Sequence, residues 1–123
     1  MSAGDLELAR QFLDVLAEAA RTGDRDSLYE LLDPDVEWLM PRRDVHGLEQ
    51  ARAQLTWIRP PDHLDVEFGE PELTHVGDGR VVCDVHETYR LKETGDYAYA
   101  RDRRIDLTLR DGKVARYEMT VVG

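Results

Sequence analysis

From residue 63 onward the chain is cut by Gly-bearing turns, VGDG at 76–79, ETG at 93–95 and RDG at 110–112, into segments whose length and alternation suit strands and little else. The predicted strands cover about 63–76, kinked at Gly69 and Pro71, then 79–92, 96–109 and 113–122. The first half reads differently. Residues 5–22 carry Ala9, Phe12, Leu13, Leu16 and Ala20 at helical spacing, with Asp5 as the expected N-cap and Gly23 just past the end. Asp24 is expected to cap a second, short helix with Leu28, Leu31 and Leu32 on one side, stopped by Pro34. VEWLM (36–40) reads as a short strand closed by Pro41, and Gly47 introduces a third helix over about 48–57, with Leu48, Ala51 and Leu55 inward. Helices first and a strand meander last predict an α+β fold, one domain over residues 1–123, with three N-terminal helices packed on a curved antiparallel sheet.

Charge narrows the partners. A net charge of −10 over 123 residues argues against nucleic acid, whose binding needs basic side chains to neutralise phosphates, and equally against an anionic membrane surface. Cys83 is the only cysteine, so no intrachain disulfide can form and a reducing compartment, the cytoplasm, is expected. The start, MSAGDLELARQF, lacks the basic and apolar regions of a secretion signal, and no stretch approaches the ~18 apolar residues of a membrane span.

Strand register decides which side chains share a face. In DVHETYR (84–90), His86 and Glu87 must point to opposite sides of a strand. A three-residue loop at 93–95 pairs Lys92 with Asp96, Tyr89 with Tyr99, Glu87 with Arg101, Val85 with Arg103 and Cys83 with Ile105; on the other face it pairs His86 with Asp102 and Asp84 with Arg104. For RDG, a two-residue Asp-Gly hairpin would put Arg116 and Glu118 on the apolar face. A three-residue bulged turn is therefore expected, pairing Leu107 with Ala115, Ile105 with Tyr117, Arg104 with Glu118 and Asp106 with Arg116. Glu87 then points inward and His86 outward.

The run GDRDSLYELLDPDVEWLMP, then HGLEQARAQL, then LTLRDGKVARYEM resembles the SnoaL-like branch of the nuclear-transport-factor-2-like superfamily over nearly the whole chain. The resemblance implies a single SnoaL-like domain, a conical pocket between helices and the concave sheet face, and a homodimer. It does not imply one activity, since relatives include isomerases, polyketide cyclases, epoxide hydrolases, dehydratases and non-catalytic binding proteins. The polar positions that ketosteroid isomerases use align with Leu16 (or Phe12), Trp38 and Ile105, so those roles are vacant here. The inward acid late in the sheet, on which the cyclases and epoxide hydrolases depend, is also missing.

The expected pocket is apolar and aromatic, with Phe12, Leu16, Trp38, Met40, Trp57, Tyr89, Tyr99, Tyr117 and Met119 around a polar cluster of Glu87, Arg101 and Arg103. Glu87 and Arg101 make a rim ion pair or a working carboxylate. Arg103 has no charge among its predicted neighbours, so Glu87 reaches it diagonally, or it extends to water, or an anionic ligand meets it. The histidines show no ligand spacing; neither metal nor cofactor is expected. The leading expectation is a small-molecule-binding protein whose ligand is apolar and carries a carboxylate or enolate oxygen. The alternatives are an isomerase, cyclase or dehydratase using Glu87 as general base, and a non-catalytic homodimeric interaction module.

Overall fold

The computed structural model describes residues 2–55 and 62–122. Helix α1 (Ser2–Thr22) buries Ala9, Phe12, Leu13, Leu16 and Ala20 along one stripe. Gly23 ends it at φ 81°, returning its N–H to Ala19 O at 2.8 Å. Asp5 does not cap this helix, which begins at Ser2. Its carboxylate instead accepts the Gly79 N–H (3.0 Å) and meets His75 Nε2 (3.0 Å), tying the helix to a turn of the sheet.

Helix α2 (Asp26–Glu30) is shorter than its leucines suggest, and its N-cap is Arg25 rather than the expected Asp24, whose Oδ1 accepts the Asp26 N–H from one residue further out. Leu31 closes the last turn, and Leu32 opens β1 (Leu32–Met40). Pro34, which has no N–H to donate, falls in the irregular stretch between paired Leu32 and Glu37. A short edge strand, β2 (Arg43–His46), doubles back on β1 between Pro41 and Gly47. Helix α3 (Leu48–Gln54) follows Gly47, whose φ of 86° suits glycine and whose N–H reaches Val36 O.

The sheet has β3 (Leu64–Phe68), β4 (Glu72–Gly77), β5 (Arg80–Leu91), β6 (Tyr97–Arg110) and β7 (Lys113–Val122), in the order β2-β1-β7-β6-β5-β3, with β4 also on β5. The segment expected as one kinked strand is thus two, divided at the kink foreseen around Gly69 and Pro71. Both lie on one edge of β5, β3 against Glu87–Leu91 and β4 against Arg80–Asp84. The sheet is curved, unclosed and mixed rather than purely antiparallel, because β1 runs parallel to β7. The helices cover its concave face, where Phe12, Trp38, Ile105, Leu107 and Tyr117 are almost wholly buried. Truncating one such aromatic to Ala removes about 3–5 kcal/mol. Among the described residues, no helix is long and apolar enough to cross a membrane.

The β5–β6 register is the expected one through Tyr89–Tyr99, with Cys83 opposite Ile105, Val85 opposite Arg103 and Glu87 opposite Arg101. It departs only at the loop, where Leu91 N–H reaches Asp96 O and a bulge intervenes, so Lys92 does not pair with Asp96. The β6–β7 register differs more. Asp111 and Gly112 both take positive φ (53° and 75°), making the two-residue turn, with Arg110 opposite Lys113. A bulge between Thr108 and Leu109 on the ladder then leaves Ala115 extra, so Ile105 faces Met119 and Leu107 faces Tyr117. The expected partners are displaced by two residues, and an even displacement preserves the faces. The outer charges rearrange accordingly: Arg104 pairs with Asp84, Asp106 with Arg80, and Arg116 with Glu118.

Candidate functional site: a shared carboxylate in the concave face

The alternation along β5 carries Glu87 inward, where it is 2% exposed and the only buried charged residue among those described. Its two oxygens are both engaged. Arg101 Nε donates to Oε1 at 2.8 Å, and Arg103 Nη2 lies 2.9 Å from Oε2. Of the three routes open to Arg103, the structure takes the diagonal reach of Glu87. His86 points outward, exposed, with Nδ1 2.7 Å from Asp102.

One carboxylate between two guanidiniums leaves one positive charge uncompensated within the cluster. This excess sits in a wall whose arginines differ in exposure: the Arg101 side chain is 38% exposed, that of Arg103 11%. Arg101 also donates from Nη2 to Tyr89 Oη at 3.2 Å, and its guanidinium stands 5.5 Å from the Tyr89 ring centre. Burial opposes the charge of Arg101, but the hydrogen bond to Glu87, with help from Tyr89, overcomes it and raises its pKa. Burial pushes the Tyr117 hydroxyl up to about 12 against the pull of Arg103, and raises that of Tyr89. Both phenols are therefore neutral donors and acceptors in the working pH range.

The apolar wall is fixed by ring packing. Trp38 and Tyr117 stack at 3.8 Å, with Phe12 tilted against both at 6.1 and 6.0 Å. Two buried nitrogens in this region, Trp38 Nε1 and Arg103 Nε, have no hydrogen-bond partner. Such an orphan costs about 1–3 kcal/mol in the folded state, so its presence asks for an acceptor.

Two neighbouring spaces adjoin the cluster. An inner cavity of about 100 Å³ is bordered by Trp38, Met40, Glu87, Arg101, Arg103 and Tyr117, among others. An outer groove of about 680 Å³ runs along α1 past Asp14 and Glu18 to Gly69–Pro71 on the far side. Leu16, Val66, Phe68 and Arg103 belong to both. The groove is the larger, but its rim is acidic and open; Glu87, Arg101 and Arg103 meet at the inner cavity.

Of the residues singled out from sequence, Leu16, Trp38, Met40, Glu87, Tyr89, Arg101, Arg103 and Tyr117 border the inner cavity. Phe12 and Met119 stand behind it in the core. Tyr99 is 43% exposed and stacks on the outer side of Tyr89 at 4.5 Å. Trp57 lies outside the described residues. Val66, Phe68 and Ala20 border the cavity without having been foreseen. The alternation Leu64, Val66, Phe68 in HLDVEF was the available signal.

A family model described as a SnoaL-like domain matches residues 9–117. No curated protein sequence matches the chain. Among solved structures, an NTF2-like protein of Anabaena variabilis superposes with a TM-score of 0.82 at 17% identity, covering 100% of this chain and 92% of its own. A protein of Jannaschia provisionally designated a SnoaL-like polyketide cyclase gives 0.71 at 20% identity, covering 97% and 85%. TerC, co-crystallised with polyporic acid, gives 0.69 at 22% identity, covering 97% and 92%. At these identities the likeness is one of fold.

Proposed function

The chain belongs to the SnoaL-like family, and from that premise we propose that it binds a small apolar molecule carrying a carboxylate or enolate oxygen, anchored by Arg103 with Arg101 beside it. One observation carries this: two guanidiniums share the single carboxylate of Glu87, so a sheltered positive charge faces the cavity of a protein whose net charge is −10. A buried cation in excess is costly unless something answers it, and an anion arriving from solvent would do so. That a relative of the same fold has been co-crystallised with an acid lends the ligand class support.

Catalysis is the second reading, favoured by the same excess charge, which would stabilise an enolate formed in the cavity. Its base would have to be Glu87, and both oxygens of Glu87 are bound by guanidiniums. We therefore assign Glu87 the task of orienting the two arginines. The test is a thermal-shift screen of acidic ligands on the wild type and on Arg103→Met, whose apolar replacement suits the wall. At 100 times its dissociation constant a ligand stabilises by about 2.7 kcal/mol. Arg103→Met should fold and lose that protection; identical shifts for every acidic ligand would remove Arg103 as the anchor.

A further inference from the structure

The inner cavity has a surplus of buried donors. Trp38 Nε1 and Arg103 Nε are buried and unpartnered, and both residues border this one space. The nearest carboxylate, Glu87, already accepts from both arginines, and Tyr89 Oη accepts from Arg101. Neither donor can readily turn elsewhere. The indole is clamped by its stack on Tyr117, at 3.8 Å with 12° between planes, and by Phe12. Arg103 is held through Nη2 by Glu87.

Resting on the anion-binding reading above, we infer that Trp38 is a second polar anchor and that the site takes a planar headgroup with two acceptor oxygens. Such a group is a carboxylate, or its vinylogous equivalent, the enolate of a 1,3-dicarbonyl. One oxygen meets the Arg103 Nε–H and the other the Trp38 indole N–H. An amine headgroup is disfavoured, because it brings further donors to a wall that already has two unanswered, and an alcohol supplies one acceptor oxygen where two are called for. At about 100 Å³ the cavity admits a headgroup no larger than about one six-membered ring. Any longer body must cross Leu16, Val66 and Phe68 into the outer groove, which those three residues share.

The probe that fits these limits is benzoate, titrated by calorimetry into the wild type, Trp38→Phe and Arg103→Gln. Phenylalanine keeps a ring against Tyr117 and removes the donor N–H, together with the second ring of a buried indole. Trp38→Phe should weaken benzoate about tenfold, the worth of one hydrogen bond to a charged acceptor, and Arg103→Gln should abolish binding. In the wild type, which has 2 tryptophans, the Trp38 indole N–H resonance should move downfield on saturation, a readout that stands even if Trp38→Phe folds poorly. Unchanged affinity in Trp38→Phe or an unmoved indole resonance, with binding still lost in Arg103→Gln, would overturn this inference and leave the anion site standing. Failure of the wild type to bind benzoate at millimolar concentration would overturn both.

Discussion

Replacing Glu87 by Gln should destabilise the protein by about 3 kcal/mol, and the sum can be followed atom by atom. Arg103 is 11% exposed, and stripping the partner from a sheltered ion costs roughly 3–4 kcal/mol. Arg101 is 38% exposed, so water screens it and its loss is at most about 1 kcal/mol. The amide oxygen of Gln still accepts one hydrogen bond and returns about 1 kcal/mol. For a chain of 123 residues, this corresponds to a fall in Tm of about 10 °C. Urea denaturation measures the difference directly, provided the slope is unchanged. A double variant, Glu87→Gln with Arg103→Met, should recover most of the loss, because it removes the stranded charge. Benzoate should stabilise Glu87→Gln more than it stabilises the wild type, since the variant has a second unanswered cation. A Glu87→Gln variant as stable as the wild type would refute the premise that this carboxylate holds the two charges in place.

Two further outcomes follow from the titrating groups. The Asp5 carboxyl is held below its usual range first by the Gly79 N–H and then, against some burial, by His75. Its contribution to stability is therefore complete above about pH 4 and is lost as pH falls through the lower native value; Asp5→Asn should be less stable at neutral pH, with the gap closing towards pH 2 in acid titrations followed by circular dichroism. Burial, reinforced by Asp84 and Asp106, pushes the Cys83 thiol up to about 12, so a thiol reagent at pH 8 should label it only after denaturation, as mass spectrometry would show.

How much of this was legible in the sequence depended on whether a local signal existed. The β5–β6 pairing could be read because opposite charges fall into register, Asp84 with Arg104 and Glu87 with Arg101. That pairing alone turns Glu87 inward and His86 outward. At the next hairpin the two-residue turn is disfavoured from sequence because, without a bulge, it carries Arg116 and Glu118 to the apolar face; the bulge at Ala115 restores that face beyond the turn, and no local signal announces it. The parallel pairing of β1 with β7 joins Trp38 to Tyr117 across most of the chain, and no turn announces such a contact. For that reason the stack that fixes the indole, and with it the orphaned nitrogen, was invisible, although both rings were expected near the pocket. The diagonal reach of Glu87 to Arg103 was an open alternative that side-chain geometry closed. Val66 and Phe68 were overlooked because a single kinked strand obscured the inward alternation of β3.

The central claim is that a sheltered excess of positive charge makes this cavity prefer an anion to a neutral molecule of the same shape. Calorimetric titration of the wild type at pH 7 with benzoate and with benzyl alcohol compares the two directly. The charged hydrogen bonds at Arg103 predict benzoate tighter by at least about thirtyfold, roughly 2 kcal/mol, with the gap narrowing little in added salt because Arg103 is only 11% exposed. Equal affinity for the two, or a preference for the alcohol, would contradict the account.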